Sequence, residues 1–298
     1  MRVLAAVLLI VAAAITVSPA KSPQNATTPP QDTAPPAPAP RRPRIVVELS
    51  DLLTHSPLVA CREGDARGAD APARKRLRIA SWNIRAAQSA PVDMLAAELR
   101  AMEVDVVALQ EVDVRTRRGN FVDEPGELAA ALGFHYVFAA SIKWDEGHYG
   151  LAVLSRWPLT RVKRHRVDST PEAEPRIVLD ATVCVGGRTL HVLNHHADRR
   201  TESRALGFAS LRQIVKDDIG HGILILADLN EYPDAPGIRS LIEEGFIDLS
   251  AMDTVNTGGT GRIDYLLADA PLARLASPAR VWPTDKSDHH AILADLEW

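Results

Sequence analysis

The sequence predicts an α/β fold in which two mixed β-sheets pack face to face with helices outside. Three observations predict it. From Leu77 onward, short apolar segments alternate with amphipathic ones. Some apolar segments are joined by tight turns and others by helical stretches, which mixes parallel and antiparallel neighbours. The run "VDVVALQEV" is apolar almost throughout, as a strand covered on both faces must be.

The elements follow in order. "LRIASWNI" alternates as a strand does. "PVDMLAAELRAM" places Val92, Leu95, Ala96, Leu99 and Met102 at helical spacing, with Pro91 at a first-turn position. After the strand "VDVVALQEV", "GELAAALGF" is a short helix ending at Gly133. Strands are expected at "HYVFAAS" and "GLAVLSRWPL". "RIVLDATVCVGGRTLHVLNHHA" is a β-hairpin, since Gly186-Gly187 supplies the positive φ values of a tight turn. "TESRALGFASLRQIVKDDI" is an amphipathic helix with Thr201 as its expected cap. The strand "GILILADLN", a helix from about Pro236, and the strands "RIDYLLAD" and "HAILADLEW" complete the chain.

The chain has 298 residues, 46% apolar and 24% charged, which suits one large domain with tails. A net charge of −4 gives no global attraction to nucleic acid or anionic membranes. Residues 1–20 read as a secretory signal peptide, with an uncleaved anchor as the alternative; either puts the domain outside the cytoplasm. Residues 21–76 are a Pro/Ala-rich disordered tether and N-terminal extension, within which "RIVVELSDLL" suits a strand or short helix. The folded domain is expected over 77–298. Cys61 and Cys184 are the only cysteines, and both a disulfide and two buried thiols fit them.

Six strands carry polar groups at one end. Asn83, Glu111, Asn194-His195-His196 and Asp228 with Asn230 lie at the ends of theirs, whereas Asp264 and Asp288-His289 stand at the beginnings. One such carboxylate is ordinary loop chemistry. Together they fit a single rim, where crowded acids repel and a hard cation relieves the repulsion. Mg²⁺ suits oxygen donors of this kind, with Mn²⁺ or Ca²⁺ as substitutes, and no zinc-type spacing competes.

The segments "SWNI", "VALQEV", "YGLAVLSRWPL", "LHVLNHHAD", "ILILADLNEYP", "GRIDYLLA" and "SDHHAIL" together resemble the endonuclease/exonuclease/phosphatase family of metal-dependent hydrolases. The resemblance implies a four-layer α/β sandwich. It implies metal binding by Glu111, with Asn83 and Asp288 near the ion. It further implies that Asp228 positions the attacking water, that Asn230 and His196 contact the phosphate, and that His289, oriented by Asp264, is the acid/base. Which of Asp228 and His289 is the base stays open. His195, Ala227 and Leu229 depart from frequent family residues, and Arg85 stands where some nucleases have an acid.

The expected function is a secreted Mg²⁺-dependent phosphoesterase, cleaving a phosphodiester by in-line attack of water. Nucleic acid, a phospholipid headgroup and a small phosphodiester are all admissible substrates. A sphingomyelinase-like lipid enzyme, an inositol-phosphate phosphatase and a catalytically silent binding module of the same fold are the competing readings. The 5% aromatic content and the lack of an apolar hairpin tip argue against a lipid surface. Arg117 and Arg118, which follow the Glu111 motif, are expected substrate contacts. A monomer with no stable protein partner is expected.

Overall fold

The computed structural model describes residues 45–47, 76–253, 255–259 and 261–297. The strands are β1 (Ile45–Val47), β2 (Arg76–Asn83), β3 (Val106–Val114), β4 (His135–Trp144), β5 (Gly147–Ser155), β6 (Leu159–Arg166), β7 (Ile177–Val185), β8 (Arg188–His196), β9 (Ile223–Asp228), β10 (Phe246–Asp248), β11 (Asp264–Asp269), β12 (Arg280–Trp282) and β13 (Ala291–Glu297). The helices are α1 (Val92–Ala101), α2 (Glu124–Leu132), α3 (Thr201–Val215), α4 (Pro236–Glu243) and α5 (Ala270–Ala273).

One sheet has the order β1-β4-β5-β3-β2-β13-β12, the other β10-β11-β9-β8-β7-β6. Three apolar layers show how they stack. Ile79, Val106 and Val153 of the first sheet meet Leu179, Val192 and Leu224 of the second in a shared core. The outer face of the first sheet packs on α1 and α2 through Leu95, Leu99 and Leu128. That of the second packs on α3 and α4 through Phe208, Leu211, Ile238 and Leu241. These are the two packed sheets with helices outside that the alternating pattern predicted, in the four layers that the resemblance implied.

Several local expectations meet their physical reasons. Gly133 takes a left-handed φ of 69° at the end of α2, and Gly186 and Gly187 turn the β7–β8 hairpin at φ 57° and 77°. Thr201 is not the cap of α3. Arg200 occupies that place without a side-chain bond, and Thr201 is already helical. The basic segment "RVKRHR" falls within strand β6, where Lys163 and Arg164 are buried and the Arg164 guanidinium donates to the Ala140 carbonyl. The expected domain start at 77 leaves out Ile45–Val47, which pairs in parallel with β4. The signal segment and most of the tether lie outside the described residues. Cys184 is disulfide-bonded; Cys61 also lies outside them.

A polar bolt crosses the central core beneath the rim. Gln110 Nε2 donates to Ser81 Oγ (3.1 Å) and Asn194 Oδ1 (2.8 Å), and Asn194 Nδ2 donates to the carbonyls of Leu109 (2.8 Å) and Ala152 (2.9 Å). Both amides are fully buried. Asn194→Ala takes the side-chain donor from the Leu109 and Ala152 carbonyls, each loss costing about 1–3 kcal/mol, while Gln110 keeps Ser81 and the Leu226 carbonyl. Urea unfolding is expected to show a loss of roughly 2–4 kcal/mol.

Candidate active site

Strand direction decides which end of each motif is polar. Strand β9 runs parallel to β8, so His196 and Asp228 are register partners at their C-terminal ends. Strand β11 runs antiparallel to β9, so its first residue, Asp264, lies opposite Asp228. In the other sheet, β3 is parallel to β2, which brings Asn83 beside Gln110 and Glu111. Strand β13 is antiparallel to β2, so Asp288 and His289 precede it. Every polar set therefore reaches the same rim, three from each sheet: Asn83, Glu111 and Asp288-His289 from one, His196, Asp228 and Asp264 from the other.

Glu111 sits in a break of register between β3 and β5, with a left-handed φ of 52°. Such backbone in a non-glycine residue is costly and marks a position held by its surroundings. Here it turns the carboxylate to Asn83. One Asn83 amide nitrogen donates to Glu111 Oε1 (3.0 Å) and to Asp228 Oδ2 (3.0 Å), joining carboxylates from opposite sheets. Asn83 Oδ1 accepts from the backbone of Arg85 (3.0 Å), which fixes the amide's orientation.

His289 Nδ1 bonds Asp264 Oδ2 (3.0 Å), and its Nε2 faces Asp228 Oδ2 at 3.8 Å. Burial lowers the basicity of this imidazole, but the bond and charge of Asp264, with Asp228 and Asp288, overcome that and push its pKa up to about 9. The ring is also wedged by backbone: a Cβ on Gly258 would stand 2.5 Å from His289 Cε1. Asp228 is driven the other way for an acid. Burial and then the charge of Asp264 push it up to about 7, against His289, the Asn83 bond and the Asn230 amide. The Asn230 backbone donates to Asp228 Oδ1 (3.1 Å), and its side chain donates to the Ala197 carbonyl (3.1 Å).

His196 behaves oppositely to His289. Burial, and next the charge of Arg176, hold it well below the ordinary histidine value, so it is neutral. Arg176 donates to His196 Nδ1 (3.0 Å). An arginine is only a donor, so Nδ1 must be the acceptor and Nε2 carries the hydrogen. That Nε2–H lies 3.5 Å from Asp228 Oδ2. Arg176 also pairs with Glu174 (3.2 Å) and bonds the Tyr149 hydroxyl. Burial, then the nearby charge of Glu111, raise the Tyr149 pKa.

Arg176 and Tyr149 were not assigned by any motif. Their sequence signal is slight: "EPR" before β7 and "YG" within β5. Arg117 and Arg118, the expected substrate contacts, are both paired with acids of the protein. Arg118 grips Asp113 through two bonds (2.7 and 2.9 Å) and stacks on Trp144 and Tyr149, while Arg117 pairs with Glu146 and Asp145. Arg204 is likewise committed to Glu231. Asp288 is half-exposed and pairs with Arg85 at 3.4 Å. His195 is buried, its Nδ1 bonded to the Ile177 carbonyl, and burial lowers it to about 4. The exposed Trp144 and Phe121 correct the expectation of no apolar tip.

The donor set fits a hard cation. Glu111 and Asp228 converge on one amide, and Asp228 is a buried acid under repulsion from Asp264. Asp228, Asp264 and His289 also fall within 4.8 Å of one another. That trio is better described as a hydrogen-bonded relay, because His289 Nδ1 is already bonded to Asp264 and Nε2 is turned to Asp228. Glu111 and Asp228 are the oxygen group on which a divalent ion fits, and Asn83 orients both carboxylates through its amide nitrogen.

Comparison with known proteins agrees. The "Endonuclease/Exonuclease/phosphatase family" model matches residues 80–289. The uncharacterized protein YbhP of Escherichia coli K12 is 25% identical over 223 residues, covering 66% of this chain and 85% of its own. An AP endonuclease from Archaeoglobus fulgidus superposes with a TM-score of 0.57 at 19% identity, covering 73% of this chain and 98% of that one. A mannosyl-6-phosphatase from Bacteroides thetaiotaomicron gives 0.59 at 15%, covering 74% and 100%. The last two are likenesses of fold. The chain belongs to the endonuclease/exonuclease/phosphatase family, whose members are hydrolases acting on phosphoester bonds.

Proposed function

We propose that the protein is a divalent-metal-dependent phosphodiesterase, with Mg²⁺ as its ion, working outside the cytoplasm. The observation that carries the catalytic reading is the shared Asn83 amide, which ties Glu111 to Asp228 while Asp228 faces both imidazoles. Glu111 and Asp228 would hold the ion, with Asn83 bonded to both carboxylates and Asp288 at its side. When bound, the ion supplies Lewis acidity toward the non-bridging phosphate oxygens.

The chain's own residues perform the rest. His196 Nε2–H donates to a phosphate oxygen, in the tautomer that Arg176 fixes. Arg176 Nε is buried without a partner and offers a further donor to the same group. Asp228 orients the attacking water and takes its proton, and Asn230 borders the phosphate. His289, protonated by virtue of Asp264, delivers a proton to the departing alcohol. Two cationic side chains take part, Arg176 and protonated His289, and each is already paired with an acid, Glu174 and Asp264 respectively. A singly charged diester suits that charge balance better than a doubly charged monoester.

Family membership supports phosphoester chemistry in general, and the structures of like fold include one named an AP endonuclease and another a mannosyl-6-phosphatase. The protein should release nitrophenolate from bis(4-nitrophenyl) phosphate with Mg²⁺, lose this with EDTA, and regain it on adding Mg²⁺ back. Absence of turnover there and on DNA, RNA, inositol phosphates and sphingomyelin vesicles would overturn the proposal. Exposed Trp144 and Phe121 favour a second reading, a lipid phosphodiester, which the vesicle arm distinguishes. The extracytoplasmic assignment rests on residues 1–20; a cytoplasmic location on cell fractionation would reject it.

A further inference from the structure

Beside the rim lies a cavity of about 340 Å³, within the size range of small-ligand sites. Its walls are two loops. One leaves Asn83 and contributes Ala86, Gln88 and Ser89; the other follows β3 and contributes Arg118, Asn120 and, at the start of α2, Glu124. Ala86 is three residues from Asn83, so the two Cα atoms are within about 11 Å. The loop that leaves Asn83 thus joins the rim to the cavity wall.

Glu124 is the unusual element. It is only 1% exposed, and Oε2 accepts from the Asp113 amide (2.8 Å). Its other oxygen, Oε1, is buried and has no hydrogen-bond partner among the described residues. A buried polar atom without a partner is costly, and a ligand bond removes the cost. Burial, together with the charge of Asp113 and against the Asp113 amide bond and Arg118, pushes Glu124 up to about 8. At neutral pH the group is thus an uncharged carboxyl, able to donate as well as accept. Such a group matches a hydroxyl and gives no ion pair to an ammonium headgroup. Among the described residues no aromatic side chain lines the cavity, so they offer a base no ring to stack on and a quaternary ammonium no cage.

We propose that this cavity receives the alcohol portion of the substrate, and that this alcohol is a non-aromatic polyol such as a sugar, with hydroxyls bonded to Glu124 Oε1 and to Asn120. The proposal rests on the phosphodiesterase reading for its orientation, phosphate at the rim and polyol in the cavity.

The test compares 4-nitrophenyl diesters of phosphate whose second alcohol is glucose (through O6), cyclohexylmethanol or methanol, all read by nitrophenolate release. The glucose ester should exceed both others at least tenfold in kcat/KM. Ser89→Trp, on an exposed wall position, fills the cavity, and Glu124→Met removes the hydroxyl partner. Each should shrink that preference at least fivefold, chiefly through KM. Equal rates for the glucose and cyclohexylmethyl esters, or an undiminished preference in Ser89→Trp, overturn the proposal and leave the phosphodiesterase reading intact. Calorimetric titration of the full chain in EDTA gives a reading independent of turnover. Glucose 6-phosphate should bind at least tenfold more tightly than methyl phosphate, and equal affinities count against the cavity even if no ester is hydrolysed.

Discussion

His289→Ala lowers turnover roughly 10²–10⁴-fold, the range of positioned acid–base help, in a chain that still folds. The ring makes one side-chain bond, to Asp264, and its backbone contacts survive the change: Trp82 Nε1 still donates to the residue 289 carbonyl. The loss is therefore chemical. It also has an electrostatic signature in the metal-free protein. The folded pKa of about 9 exceeds the ordinary histidine value of 6.5. The His289–carboxylate interaction thus stabilises the fold fully below about pH 6.5 and ceases to do so as pH rises through about 9. Urea titrations in EDTA between those limits should show stability falling with pH in the native chain and a flatter profile in His289→Ala. Near-normal hydrolysis of bis(4-nitrophenyl) phosphate by the variant would remove His289 from the mechanism.

Glu111→Gln is expected to cost at least 10²-fold in turnover at millimolar Mg²⁺, a figure typical of losing one main electrostatic contribution. The substitution keeps an oxygen to accept from Asn83 and keeps the side-chain length that the bulge requires, so the local architecture stays. What goes is the negative charge beside Asp228. Binding to the native state raises stability by RT ln(1 + [L]/Kd), so Mg²⁺ should raise the melting temperature of the native chain and leave that of Glu111→Gln nearly unmoved. An unchanged Mg²⁺ shift in the variant would move the ion's site away from Glu111.

The parts of this molecule legible in the sequence are those where a short segment carries its own information. Strand β9 is continuously apolar and stops at Asp228, because a buried strand that reaches a rim must change polarity there. Asp264 opens its strand and His289 precedes its own because those strands run antiparallel to their neighbours, so the polar end could be read even though the pairing could not. Arg176 was obscure because its role is relational. Only the β7–β8 pairing sets it against His196, and nothing in "EPR" announces that. Arg117 and Arg118 were legible as neighbours of Glu111 in sequence, but their pairing with acids was not. Strand β3 runs on beyond Glu111 to Val114, and the turn after it folds Arg118 back onto Asp113. Strand β6 was concealed by its charge, since an edge strand can bury arginine stems while their nitrogens find backbone oxygens. The orphaned oxygen of Glu124 could be recognised only after its burial was known.

The Gln110–Asn194 bolt has a consequence for how this protein fails under stress. Because each sheet brings half of the reactive groups, a slide of one layer over the other by even an ångström separates the Asn83 amide from Asp228 and disassembles the chemistry at once. Heat or denaturant should therefore extinguish function in step with the collapse of the whole body, with no softened yet competent intermediate in between.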